Sequence, residues 1–188
     1  MDSPVWARLV AAHEDARRVP SGGLPEHLPV AAVLACSDAR VPPSVIFDQP
    51  AGSLFVVRIA GNTATPAALA SLDYAVAQLG VELVVVLGHS ECGAVEAAAT
   101  GTCGGHLAPI VAPICEISRA NPDATPARLV ALNVTQAVRG LVEHDGPTGI
   151  AARSGALEVR GAVHDLRTAT LVDLTSSTIQ PRIPVETP

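Results

Sequence analysis

Two stretches of the chain contain only apolar residues and glycine: Val-Ala-Ala-Val-Leu-Ala at 30–35 and Leu-Val-Val-Val-Leu-Gly at 83–88. A strand buried on both faces needs no alternation, so such runs are the expected signature of parallel strands inside an α/β sheet. Leu54 to Ile59, rich in β-branched and aromatic residues, predicts a further strand. Leu157 to Asp165 predicts a fourth, and Thr168 to Leu174 a fifth that turns back antiparallel at the edge. Between the strands the period changes. Leu69, Leu72, Val76 and Leu79 recur at helical spacing after Thr65-Pro66 and before Gly80, which predicts a helix with a hydroxyl cap, a proline start and a left-handed stop. Ala127 to Glu143 reads as another helix, opened by Thr125-Pro126, and Gly93 to Thr100 as a shorter one. Ser3-Pro4 opens an amphipathic helix over Val5 to Arg18, with Trp6, Leu9 and Val10 on its apolar side, and Pro42 to Ile46 makes one short helix. Strand and helix alternate, so the fold class is α/β: a mostly parallel sheet of about four strands, an antiparallel edge strand, and helices on both faces.

Three segments break this rhythm. Val19 to Leu28 reads as a loop, because it carries Pro20, Gly22, Gly23 and Pro25. Gly101 to Pro126 holds four prolines and three glycines and reads as the least ordered part, a mobile loop with two spare thiols, Cys103 and Cys115. With His106 these imitate a second metal site, which the loop reading outweighs. Asp145-Gly146-Pro147 is a turn. The tail from Thr175 is polar and proline-bearing. A chain of 188 residues fits one domain, with 1–28 as a helical arm and loop and 175–188 as a tail.

Composition narrows the function. The core is aliphatic, since the chain has one Trp, one Tyr and two Phe. A formal charge of −6 argues against a nucleic-acid surface, which would be basic. No basic run leads into an apolar segment at the amino terminus, and no apolar stretch is long enough for a bilayer, so the expectation is a cytoplasmic protein. Four cysteines without framework spacing fit a reducing compartment, with thiolates free for metal.

The candidate chemistry sits where the apolar runs end. Cys36-Ser37-Asp38-Ala39-Arg40 follows the first run and His89-Ser90-Glu91-Cys92-Gly93 follows the second. Open α/β sheets bind ligands at the carboxyl ends of their strands. Taken singly, Cys36 and Cys92 are ordinary small buried residues. Together with His89 they make a Cys-His-Cys set suited to tetrahedral zinc with one position left open. Asp38 and Arg40, two apart on a loop, project to one side, where a guanidinium fork can hold a carboxylate off the metal.

These paired motifs resemble the β-class carbonic anhydrases, as does the intervening segment from Ile46 to Asn62. The likeness runs from about Pro29 to Gly101 and resumes weakly at Asn133 and across 157–174. It implies zinc on Cys36, His89 and Cys92, and reversible hydration of carbon dioxide to bicarbonate and a proton. Asp38 and Arg40 would act as the gate, and the Gly93 amide would steady a developing oxygen. It also implies a site at the interface of a homodimer or dimer of dimers, while the charge and hydropathy lead to the expectation of no nucleic acid or membrane partner. Alternatives on the same residues are a carbon disulfide or carbonyl sulfide hydrolase, and a non-catalytic zinc or redox module.

Some positions depart from the family pattern. Ala39 replaces a common serine and Ile59 a common asparagine. Where one branch has a tryptophan, an arginine and a tyrosine around an inhibitory bicarbonate, this chain has Val33, Arg58 and His164, so that pocket is not expected here. His27 stands where the family often places a glutamine that reaches a neighbouring active site. A histidine there can also carry a proton. Asn62 is expected to support the loop after the second strand.

Overall fold

A computed structural model describes residues 3–16 and 25–175. The chain runs α1 (Pro4–Ala16), β1 (Ala31–Ala35), α2 (Pro43–Ile46), β2 (Leu54–Arg58), α3 (Pro66–Leu79), β3 (Leu83–His89), α4 (Gly93–Ala99), α5 (Ala108–Ala120), α6 (Pro126–Glu143), α7 (Pro147–Ser154), β4 (Glu158–His164) and β5 (Leu171–Asp173). The sheet order is β2-β1-β3-β4-β5, parallel except for the β4–β5 pair. The apolar runs are therefore the central strands: all five residues of β1 are buried. The expected architecture of a parallel sheet with one antiparallel edge strand is the one observed. The glycine-rich loop before residue 25 and the tail after residue 175 lie outside the described residues.

The two faces of the sheet are filled unequally. Leu34, Val84 and Val86 meet Leu72 and Ala75 of α3 and Val134 and Leu141 of α6 on one side. On the other, Val33, Ala35, Leu87 and Ala162 are met by Ile46 and Phe47 at α2. Helix α6 sits very close to the strands. A Cβ added at Gly88 would lie 2.5 Å from Val134 Cγ2, and one at Gly161 would lie 2.9 Å from Val134 Cγ1. Two glycines on neighbouring strands thus make a notch that receives one valine. The capping signals act as expected: Thr65 Oγ1 accepts Ala68 N–H at 3.3 Å, Thr125 Oγ1 accepts Arg128 N–H at 3.2 Å, and Gly80 ends α3 with φ 67°.

Two helices were not expected. Helix α5 occupies the segment read as a loop. Its prolines mask it: Pro109 lies in the first turn, where no intrahelical donor is needed, and Pro113 loses only one N–H bond. Val111, Ile114 and Cys115 are the buried stripe that packs it against α4 and α6. Helix α7 follows the 145–147 turn, started by Pro147 and stopped by Gly155 in the left-handed region. Asp73 of α3 ties this corner down. It accepts the Thr148 N–H at 2.9 Å and meets His144 Nε2 at 2.9 Å.

Cys103 and Cys115 are not spare thiols in a mobile loop. They form a disulfide across twelve positions, joining the loop before α5 to its buried face. That also removes the basis for a second metal site with His106, and only Cys36 and Cys92 remain free. Closing a loop of this size restricts the unfolded chain by about 3 kcal/mol. Cys103→Ser should therefore unfold at lower urea, with about that loss of stability against the oxidised protein. Equal midpoints would show that the bond contributes nothing in solution.

Candidate metal centre

Two strand ends and one helix start converge on the site. Cys36 leaves β1, His89 ends β3, and Cys92 immediately precedes α4. All three are buried, and their sulfur and ring-nitrogen atoms lie within 4.8 Å of one another. The two sulfurs are 3.9 Å apart. Gly61 turns with φ 68° behind them and donates its N–H to Cys36 Sγ at 3.3 Å. That turn is itself held: Asn133 of α6 donates to the Gly61 carbonyl at 2.8 Å, and Thr63 Oγ1 donates to Ile110 O at 2.9 Å.

The orientation of His89 tests whether these residues fit a metal. Nδ1 lies 2.8 Å from the Ser90 carbonyl, which can only accept, so Nδ1 carries the proton. Nε2 then presents its lone pair toward the cysteines, and it is buried without a hydrogen-bond partner. Buried polar atoms are rarely left so. An imidazole fixed by a carbonyl on one nitrogen and free on the other is how metal-bound histidines are usually held. The donor set of two sulfurs and one nitrogen matches zinc, the cation already inferred from the sequence. The same closeness shapes proton affinities. The Cys92 thiol, with help from His89 and backbone donors, holds Cys36 down at about 4 against the cost of burial. Cys92 is pushed up by Cys36 and by burial. Burial disfavours a charged His89, but the Cys36 sulfur, the Ser90 carbonyl and Asp38 outweigh it and raise the ring.

Asp38 and Arg40 form the expected fork at the mouth. Arg40 Nε and its backbone N–H both donate to Oδ1, at 3.0 and 2.9 Å, and NH2 donates to Oδ2 at 2.7 Å. The guanidinium holds the Asp38 carboxyl well below the usual carboxylate range. Oδ2 lies 4.0 Å from His89 Nε2, so the carboxylate borders the ligand set without joining it. Gly93 is the first residue of α4, so its N–H has no acceptor within the helix. His27 is elsewhere. It is exposed, with its ring stacked on Phe55 of β2 at 6.3 Å. Phe55 pairs with Ala32, four residues and about 13 Å back along the strand from Cys36.

Four further residues shape the site: Glu91 and Ser90, given no role of their own from sequence, Arg58, named there only for a pocket that was not expected, and Asn62, expected to support the loop after the second strand. Glu91, with φ 56°, accepts from Arg40 NH2 through its carbonyl at 3.1 Å and pairs with Arg167 through its carboxylate. Ser90 Oγ accepts the Leu166 N–H at 2.9 Å and ties the loop to the β4 end. Arg58 reaches the backbone of the Cys36 loop. Asn62 shares the left-handed turn with Gly61, at φ 46°, and is buried with Nδ2 unpartnered. The Gly61-Asn62 dipeptide was the available signal, since these two types tolerate positive φ best.

Comparisons with known proteins agree with this geometry. A family model described as carbonic anhydrase matches residues 31–171. Carbonic anhydrase 2 of Mycobacterium tuberculosis is 49% identical over 79 residues, which are 42% of this chain and 38% of that protein. The matched stretch thus spans well under half the length of that relative. The carbonic anhydrase of Pseudomonas aeruginosa is 38% identical over 154 residues, covering 73% of this chain and 70% of that one. Among solved structures, tetrameric β-carbonic anhydrases from Sordaria macrospora match with a TM-score of 0.75 at 28% identity, over 92% of both chains. The donor geometry leads to a direct expectation. Purified protein should carry about one zinc per chain, and alanine at Cys36, His89 or Cys92 should remove it, measured by elemental analysis. Full occupancy in all three variants would refute the ligand assignment.

Proposed function

The chain belongs to the β-class carbonic anhydrases, and from that premise we propose that it catalyses the reversible hydration of carbon dioxide to bicarbonate and a proton. One observation carries the reading: a carboxylate held in a two-point guanidinium fork beside a buried, unpartnered imidazole nitrogen and two thiols. Zinc on Cys36, His89 and Cys92 supplies the Lewis acidity that makes water a nucleophile near neutral pH. Asp38 borders the ligand set, stays ionised through its pairing with Arg40, and is placed to accept the proton released there. Arg40 keeps both carboxylate oxygens turned toward itself, which leaves the remaining side of the ligand set to substrate. The backbone N–H of Gly93, in the first turn of α4, offers a donor to the oxygen that becomes negative as carbon dioxide is attacked.

The proposal extends to assembly and place. Helix α1 buries none of its residues and leaves Trp6 61% exposed, and among the described residues β2 is an edge strand with Val56 exposed. These surfaces favour a homodimer or dimer of dimers, and the Sordaria macrospora relatives are described as tetrameric. In such an assembly His27 would serve the site of a second copy, as its exposed ring and its distance from its own Cys36 suit it to do. A cytoplasmic location fits the two free buried thiols, and none of the described helices is long and apolar enough to cross a membrane. The Cys103–Cys115 bond points the other way, and rapid alkylation of intact cells would show whether it is closed there.

Asp38→Asn and Arg40→Ala should each keep zinc and lose at least about 100-fold in stopped-flow carbon dioxide hydration. Wild-type rates in both would leave the pair a loop ornament. His27→Gln and His27→Ala should both lose turnover in weak buffer and regain it in strong buffer. Turnover kept by Gln alone would mean that His27 only hydrogen-bonds, and no change in either would place it outside the site.

A further inference from the structure

The loop that carries both Cys36 and Asp38 closes on itself through the Val41 N–H, which the Asp38 carbonyl accepts at 3.1 Å, and through the Arg40 N–H on Asp38 Oδ1 at 2.9 Å. The β1 ladder ends when Ile59 N–H reaches the Ala35 carbonyl at 3.0 Å. Beyond that point the Cys36 and Asp38 carbonyls lie outside any strand pairing, and one side chain takes both. Arg58, the last residue of β2, donates Nε to Cys36 O at 2.9 Å and NH2 to Asp38 O. A planar guanidinium presents these donors at a fixed separation, so it sets the distance and tilt between the two carbonyls. Those carbonyls belong to the first thiol of the metal set and to the carboxylate beside it. Fixing the peptide groups at 36 and 38 fixes the directions in which the Cys36 Sγ and the Asp38 carboxylate leave the backbone.

We propose that Arg58 is a positioning residue for the metal centre, a strut that holds the Cys36–Asp38 loop so that thiol and carboxylate face one cation. The position does not take up the bicarbonate role known for its counterpart in one branch of the family. Its Nε and NH2 are committed to backbone carbonyls, and Val33 and His164 stand in place of that pocket's other two members. Arg58 touches neither substrate nor metal. It acts through main-chain geometry, in the way that groups behind a metal ligand set its orientation. The proposal rests on the zinc ligand assignment, and not on which gas is hydrated.

The test therefore reads zinc affinity as well as turnover. Arg58→Ala in the full chain should weaken zinc binding, measured by competition with a chromophoric chelator, by about 10- to 100-fold. It should lower kcat more than it changes KM, and millimolar methylguanidinium should recover part of both losses. Arg58→Lys keeps the charge and the stem but cannot span two carbonyls, so it should fall between Ala and wild type. If the alanine variant does not fold, the lysine variant carries the test alone. Unchanged zinc affinity in Arg58→Lys would then overturn the strut. Altered bicarbonate inhibition with wild-type zinc affinity in either variant would also overturn it, in favour of an anion-binding role. If the wild-type protein binds zinc but hydrates no carbon dioxide, the functional reading fails while the chelator competition still decides the role of Arg58.

Discussion

Two cysteine sulfurs 3.9 Å apart, both sealed from solvent, are an arrangement that the fold must justify. Two buried negative charges at that distance repel strongly unless a proton or a cation is shared between them. The architecture around them supplies what the pair needs. The Gly61 N–H points at one sulfur, Cys92 sits at the start of α4 among forming backbone donors, and the imidazole aims its lone pair at the gap. Each of these depends on something further away. Gly61 is held by Asn133 from α6 in a left-handed turn, and a Cβ there would meet Ile114 Cδ1 of α5 at 2.7 Å. The α5 helix thus belongs to the metal centre in a mechanical sense, though it contributes no ligand.

The legible and illegible parts of the chain divide along the range of the interactions involved. The runs before Cys36 and His89 were readable because a strand buried on both faces writes itself as unbroken apolar sequence. The Asp38–Arg40 fork was readable because it closes within two residues. Helix α5 was obscured because Pro109 and Pro113 are strong local signals, and the stripe of Val111, Ile114 and Cys115 that overrides them needs a partner surface to matter. The Cys103–Cys115 pairing was missed for a related reason: a loop reading leaves the two thiols unrelated, and only the helix brings one against the other. Arg58 and Asn133 reach over 22 and 72 positions to backbone oxygens, and no spacing rule reports a bond from a side chain to a distant carbonyl.

The mouth of the site is governed by charge in a different way from its floor. Arg40 is half exposed, and it faces Asp38 on one side and Glu91 on the other, with Glu91 in turn paired to Arg167. Exposed pairs of this kind add little stability one by one. Their effect here is directional. The chain alternates acid and base across the opening, so the carboxylate nearest the ligand residues has a guanidinium partner at 2.7 Å.

The notch under α6 bears on how this sequence can change over time. Val134 fills the space left by Gly88 and Gly161, and Gly88 is the residue next to His89. A methyl gained at Gly88 has to be matched by a smaller residue at position 134, or the helix lifts and carries Asn133 away from the Gly61 carbonyl. One gained at Gly161 also meets Val138 Cγ2 at 3.0 Å. Substitutions at these positions are therefore coupled. A lineage that acquires alanine at 88 or 161 passes through it only alongside a smaller residue on the helix, and the joint drift of positions that never touch the metal would be the record of the site they protect.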